Sequence, residues 1–169
     1  AANPTKNTIA EWFERGVRAF KQPDGVAAVK AFRKVIALDQ AYRHGDGDNA
    51  YFYLGKIMEV EGDLNEAVTM YTKAISIDSW DEESLIGRGS CYTVLNQPSN
   101  AIADFKKVLS IGSRRRAPVE QIYYVIGENY RKQGKWPQAW KWGKKAQAET
   151  PNSERINKLV DDATAWLEK

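Results

Sequence analysis

A glycine, an alanine twelve residues later and a ring four residues after that recur along this chain of 169 residues. Gly16, Ala28 and Phe32 open the series, followed by Gly55, Ala67 and Tyr71, then by Gly89, Ala101 and Phe105. The fourth set keeps Gly127 and Ala139 but has Gly143 in the slot of the ring. The glycines stand 39, 34 and 38 residues apart, a period of 34 with five and four residues inserted. Self-similarity at such a period means one supersecondary unit repeated and stacked, because a single copy cannot bury its own apolar face.

The second copy, Ala50 to Ser79, shows what the unit is. Tyr51, Leu54, Gly55 and Met58 recur at helical spacing and share one face. Gly62 reaches the left-handed angles that end a helix, and Asp63 can accept from the amides that open the next. Ala67, Tyr71, Ala74 and Ile75 form a second stripe, the alanines allowing close approach and Tyr71 filling the angle between the helices. The unit is a helical hairpin. Four hairpins are expected at 9–42, 48–81, 82–115 and 120–153, after a loose arm over 1–8 that ends in Thr8 as a cap. The inserted residues fall in Ala41–Asp48 and Gly112–Pro118, both rich in turn formers or arginine. Residues 154–169 carry Ile156, Leu159, Val160, Ala163, Trp166 and Leu167 on one stripe, a helix that caps the last hairpin, with Pro151-Asn152-Ser153 as its turn. Two positions depart from the pattern with a charge, Arg15 and Arg88. Asp104 is the expected partner of Arg88, whereas Ala31 stands in the equivalent place for Arg15. An aromatic from Trp142 or the final helix is expected to fill the gap at Gly143.

These residues resemble the tetratricopeptide repeat. In that family's order the fourth copy reads Tyr123, Ile126, Gly127, Tyr130, Gly134, Ala139, Ala146 and Pro151. Trp12, Gly16, Ala28 and Phe32 anchor the first copy, and Leu85, Gly89, Tyr92, Ala101 and Phe105 the third. The resemblance implies an all-α fold, a right-handed solenoid of antiparallel helix pairs with about nine helices, and a non-catalytic role as adaptor or scaffold in the assembly of a multiprotein complex. It also implies that the first helix of each repeat lines a concave groove. Phe13, Phe52, Ile86 and Tyr124 would form an apolar row there, and Val17, Lys56, Ser90, Glu128 and Arg131 its next turn and rim. Such a row would hold a peptide or helical segment of another protein; packing between neighbouring helices would use the same side chains. The clamp by which chaperone-binding relatives hold a peptide carboxylate is not expected, because Phe13, Val17, Tyr53, Glu83 and Gly87 stand in its slots. Starting one copy later gives Phe52, Lys56, Gly87, Gln121 and Val125, which serves no better.

Composition narrows the remaining classes. A hydrophobic content of 43% supplies a core, and no stretch approaches the roughly 20 apolar residues of a membrane span. Cys91 is alone, so neither an internal disulfide nor a cysteine zinc cluster is available; a packing role is expected for it. His44 is the sole histidine. With Asp46 and Asp48 it lies in a Gly/Asp loop that lacks the longer acidic series of a calcium loop. No phosphate-binding glycine fingerprint, nucleophile pattern or general base is evident, so no enzyme, cofactor or metal is expected. The chain begins Ala1-Ala2-Asn3-Pro4 without Met, which leaves the compartment open: cytoplasmic or, with an upstream signal removed, periplasmic or otherwise extracytoplasmic.

Residues 1–84 carry 10 Lys/Arg against 14 Asp/Glu, and residues 85–169 carry 15 against 8. Opposite-charged ends allow head-to-tail contact between copies as a second mode. Lys106, Lys107, Arg114, Arg115 and Arg116, with Lys141, Lys144 and Lys145 expected near them in space, form a basic region. It suits a solvated face first and an acidic protein partner or surface next. Nucleic acid comes last, since no RNA-binding signature accompanies it.

Overall fold

The computed structural model describes residues 4–22, 24–45 and 47–169, with side chains from residue 8 onward. Ala1, Ala2 and Asn3 of the expected arm and Asp46 of the inserted loop lie outside the described residues. Among the described residues the chain is all helix and turn. In order come α1 (Pro4–Lys21), α2 (Gly25–Leu38), α3 (Ala50–Glu61), α4 (Leu64–Ile77), α5 (Glu82–Val94), α6 (Pro98–Ser110), α7 (Val119–Lys132), α8 (Trp136–Glu149) and α9 (Glu154–Leu167). A short 3₁₀ turn at Gly112–Arg114 follows α6.

Local chemistry sets the breaks. Gly62 takes φ 85° as the left-handed cap of α3, and the Asp63 carboxylate accepts from the Glu66 amide to start α4. Asp24, Asn49 and Asp81 open α2, α3 and α5 in the same way, accepting from the amides of Ala27, Phe52 and Ser84. Ser153 precedes α9 but makes no side-chain cap bond. The start expected at Thr8 is corrected: α1 already begins at Pro4, a residue tolerated in the first helical turn because its missing N–H has no partner there anyway.

The chain divides into two compact units, Ala1–Gly87 and Arg88–Lys169. In the first, α1 pairs with α2, and α3 with α4. Phe32 is completely buried against Gly16, where an added Cβ would come within 2.7 Å of the ring. Tyr71, also fully buried, lies so close to Gly55 and Gly87 that a Cβ would meet its ring at 2.8 and 2.5 Å. Its hydroxyl donates to Glu59 at 2.7 Å. The glycine of the repeat is thus the floor on which the ring of the following helix rests. Arg15, lacking a carboxylate across the hairpin, places its guanidinium 5.1 Å from the Trp12 ring centroid.

In the second unit Phe105 rests on Gly89 in the same manner. Beside it, Arg88 and Asp104 form the expected pair, bidentate at 2.9 and 2.7 Å, with the carboxylate buried. The hydrogen bonds to Asp104 hold the Arg88 guanidinium above its ordinary pKa. Cys91 is buried, as its packing role requires. Asn129, completely buried on α7, satisfies its amide with Thr93 Oγ1 at 3.0 Å and the Val125 carbonyl at 2.8 Å.

The gap at Gly143 is closed differently from the expectation. It is the final helix that fills it, but with aliphatic groups: Leu159 Cδ2 would lie 2.8 Å from a Cβ on Gly127, and Val160 Cγ2 3.0 Å from one on Gly143. Trp142 turns instead to Tyr123, ring centroids 5.7 Å apart. A helix arriving from outside the hairpin thus covers these glycines with branched chains in place of a ring. Ile156, Leu159, Val160 and Ala163 are buried, while Trp166 and Leu167 at the end of the stripe are exposed, and Trp166 stacks on Trp136.

Candidate functional site

Each unit has a cleft that draws its lining from the first helix of a hairpin. In the first unit a cleft of about 370 Å³ is lined by Phe13, Glu14, Val17, Arg18, Lys21, His44 and Tyr53. The residues come from successive turns of α1, from the start of α3 and from the loop between α2 and α3. The loop is held by the His44 amide, which donates to the Asp48 carbonyl at 2.8 Å, and by the Tyr53 hydroxyl on the Asp48 carboxylate at 2.8 Å. His44 stacks flat on Phe13, centroids 4.7 Å apart at 10°, and Tyr53 stacks on Phe32 at 4.9 Å.

That packing corrects part of the expected apolar row. Phe13 is 1% exposed and Phe52 8%, so neither ring can serve as an exposed anchor. Phe13 is covered by His44 and flanked by Tyr42 and Tyr53, and Phe52 lies against Tyr53 and Tyr71. Both behave as the alternative reading of the row requires. Val17, one turn beyond Phe13, is half-buried and faces the cleft. Lys56, Ile86 and Ser90 are half-buried, outside the two clefts.

In the second unit a cleft of about 340 Å³ brings together Tyr124, Glu128 and Arg131 of α7 with Arg155, Lys158, Leu159 and Asp162 of α9. Its charges are mostly paired. Arg131 Nη2 meets Glu128 at 2.7 Å, and Lys158 meets Asp162 at 3.0 Å. The hydrogen bonds to Glu128 hold Arg131 above its ordinary pKa. Arg155 lies 4.9 Å from the Tyr124 ring centroid. Burial, then the charge of Glu128, pushes the Tyr124 phenol above its usual value. Tyr124 of the expected row and Glu128 and Arg131 of its rim are thus in one place. Arg155, Lys158 and Asp162 were missed, although their spacing of three and four along α9 puts them on one edge of that helix.

Neither lining includes serine, threonine or cysteine, and no group of three His, Cys, Asp or Glu suited to a metal occurs among the described residues. No described helix is long and apolar enough to cross a membrane. Of the basic region, Arg114 and Arg116 are exposed, Arg115 donates to the Ala117 carbonyl at 2.9 Å, and Lys107 is half-buried. Lys106 Nζ and Lys145 Nζ lie 5.9 and 4.5 Å from the centroid of the Trp142 ring.

The sequence model of the tetratricopeptide repeat matches residues 48–79, the hairpin of α3 and α4. The chain has the tetratricopeptide-repeat fold. Among solved structures, a crystal structure of the MamA protein superimposes with a TM-score of 0.77 at 19% identity, covering 96% of this chain and 90% of that one. YrrB, described as a tetratricopeptide-repeat protein with an unusual peptide-binding site, gives 0.80 at 16% identity, over 99% and 86%. The first such domain of Spaghetti, bound to an HSP90 peptide, gives 0.62 at 18% identity, over 70% and 91%.

Proposed function

We propose that this protein is a non-catalytic interaction module, an adaptor or scaffold that holds a segment of a partner protein against the first helices of its hairpins. The carrying observation is the cleft on α7 and α9, where Tyr124, Arg131 and Arg155 offer a ring and several N–H donors on a rigid floor formed by Leu159. The cleft on α1 and α3 supports the same reading with Val17, Tyr53, Arg18 and Lys21. Two proteins of the same fold are described with peptides or a peptide-binding site, which favours a segment over a folded surface.

The charge count gives head-to-tail assembly through opposite ends only weak support. Acidity is concentrated in residues 48–81, with seven Asp/Glu against two Lys, whereas residues 9–42 are net positive and residues 154–169 net negative. The ends are therefore opposite in sign to the two halves that contain them, and both are weakly charged.

A random peptide library displayed against the full chain tests the reading. Enriched peptides should lose about tenfold or more in affinity to Tyr124→Ala or to Val17→Asp, with each variant keeping its helical circular dichroism. Failure to enrich any peptide, or binding indifferent to both substitutions, would overturn it.

A further inference from the structure

We propose that a second surface, the lysine-covered aromatic face on α6, α7 and α8, binds an acidic segment of a partner protein. It is separate from the two clefts and does not depend on them. Lys145 Nζ lies 4.5 Å from the Trp142 centroid and 5.5 Å from that of Tyr123. Lys106 Nζ lies 5.9 Å from the same indole and 5.4 Å from the Tyr130 ring, and it bonds the Tyr130 hydroxyl at 2.9 Å.

Other cations of this unit differ among themselves: Lys144 bonds the Gln147 side chain and Lys132 the Thr93 carbonyl, whereas some are ion-paired. Arg88, Arg131 and Lys158 each have a carboxylate of their own. Lys106 and Lys145 have none among the described residues, although both are exposed. Lys141 is exposed one turn before Lys145, a like-charge spacing that costs helix stability. Glu149 is the single acid in α8. Aromatic contact holds an ammonium in place while leaving N–H donors free, since an ammonium has three and Tyr130 engages one of Lys106. Cations fixed beforehand lose little freedom when a carboxylate arrives.

The geometry favours carboxylates over nucleic acid. Single strands bind through bases stacked on open aromatic faces, and Trp142 already carries two ammonium groups. What is offered outward is charge without a stacking platform, which matches closely spaced Asp or Glu side chains.

Fluorescence anisotropy of labelled octaglutamate with the full chain at low salt tests this. Wild type should bind, and Lys106→Gln with Lys145→Gln should bind roughly tenfold more weakly. Lys30→Gln with Lys34→Gln removes equal charge from α2 and should change affinity by less than about twofold. The charge-keeping pair Lys106→Arg with Lys145→Arg should retain binding and guards against a folding effect. No binding by wild type, equal loss in the two Gln pairs, or loss in the Arg pair would overturn the proposal. Tighter binding of a short oligothymidylate with the same dependence on Lys106 and Lys145 would overturn it in favour of nucleic acid.

Discussion

The hairpin of α3 and α4 and the hairpin of α7 and α8 begin from the same glycine and solve its packing in opposite ways. In the first, Tyr71 comes from the hairpin's own second helix and covers Gly55. In the second that slot is Gly143, and the cover for Gly127 is Leu159 from the next helix along. One hairpin is internally complete. The other needs its neighbour, and that same neighbour, α9, supplies Arg155, Lys158 and Asp162 to the cleft. Where a repeat gives up its ring, the helix that replaces it is tied to both stability and site.

The comparison is broken most severely by removing α9. Ending the chain at Ser153 exposes what Ile156, Leu159 and Val160 cover, and at about 1.5–3 kcal/mol per large side chain this should cost roughly 5 kcal/mol or more. Hydrogen exchange should then show α7 and α8 opening while α3 and α4 stay protected. In the complete hairpin the corresponding loss is a single residue: Tyr71→Ala should cost about 3–5 kcal/mol in urea unfolding.

A charge pair sharpens the same contrast. Arg88→Ala leaves the buried Asp104 carboxylate unpaired, with an expected loss of about 3 kcal/mol; Arg88→Met with Asp104→Leu should recover most of it. Smaller still is the alanine test of the two glycine slots. Gly16→Ala pushes a methyl to 2.7 Å from the fully buried Phe32 ring and should destabilise by about 1–2 kcal/mol. At Gly143 the nearest atom is 3.0 Å away on Val160, and the helix-forming gain of alanine, about 1 kcal/mol, should leave the change near zero.

The smallest effect is a titration. Because the Tyr124 pKa is raised in the folded chain, the contribution of this residue to stability should be complete below pH 10 and fall as pH rises beyond it. An NMR titration of the tyrosine ring carbons should place Tyr124 above the usual value, and Glu128→Gln should lower it.

Local relations were legible in the sequence. The turn at Gly62 and Asp63 depends on adjacent residues, and the pair Arg88–Asp104 on two helices of one hairpin. The filler of Gly143 was legible as to its helix and not as to its side chains, since branched chains and rings compete for the gap by shape. The burial of Phe13 was one of two readings that the row allowed, and the repeat pattern does not choose between them because its cover, His44, sits in an inserted loop whose path that pattern does not describe. The cleft on α7 was half visible, since the repeat marks α7 while the edge of α9 that completes it carries charges beside an apolar stripe that belongs to no repeat.

Hydrogen exchange of the full chain, free and saturated with a library-selected peptide, tests the interaction reading most directly. The account predicts added protection in α1 and α3, in α7 and α9, or in both pairs. Protection confined to α2, α4, α6 and α8 would contradict it.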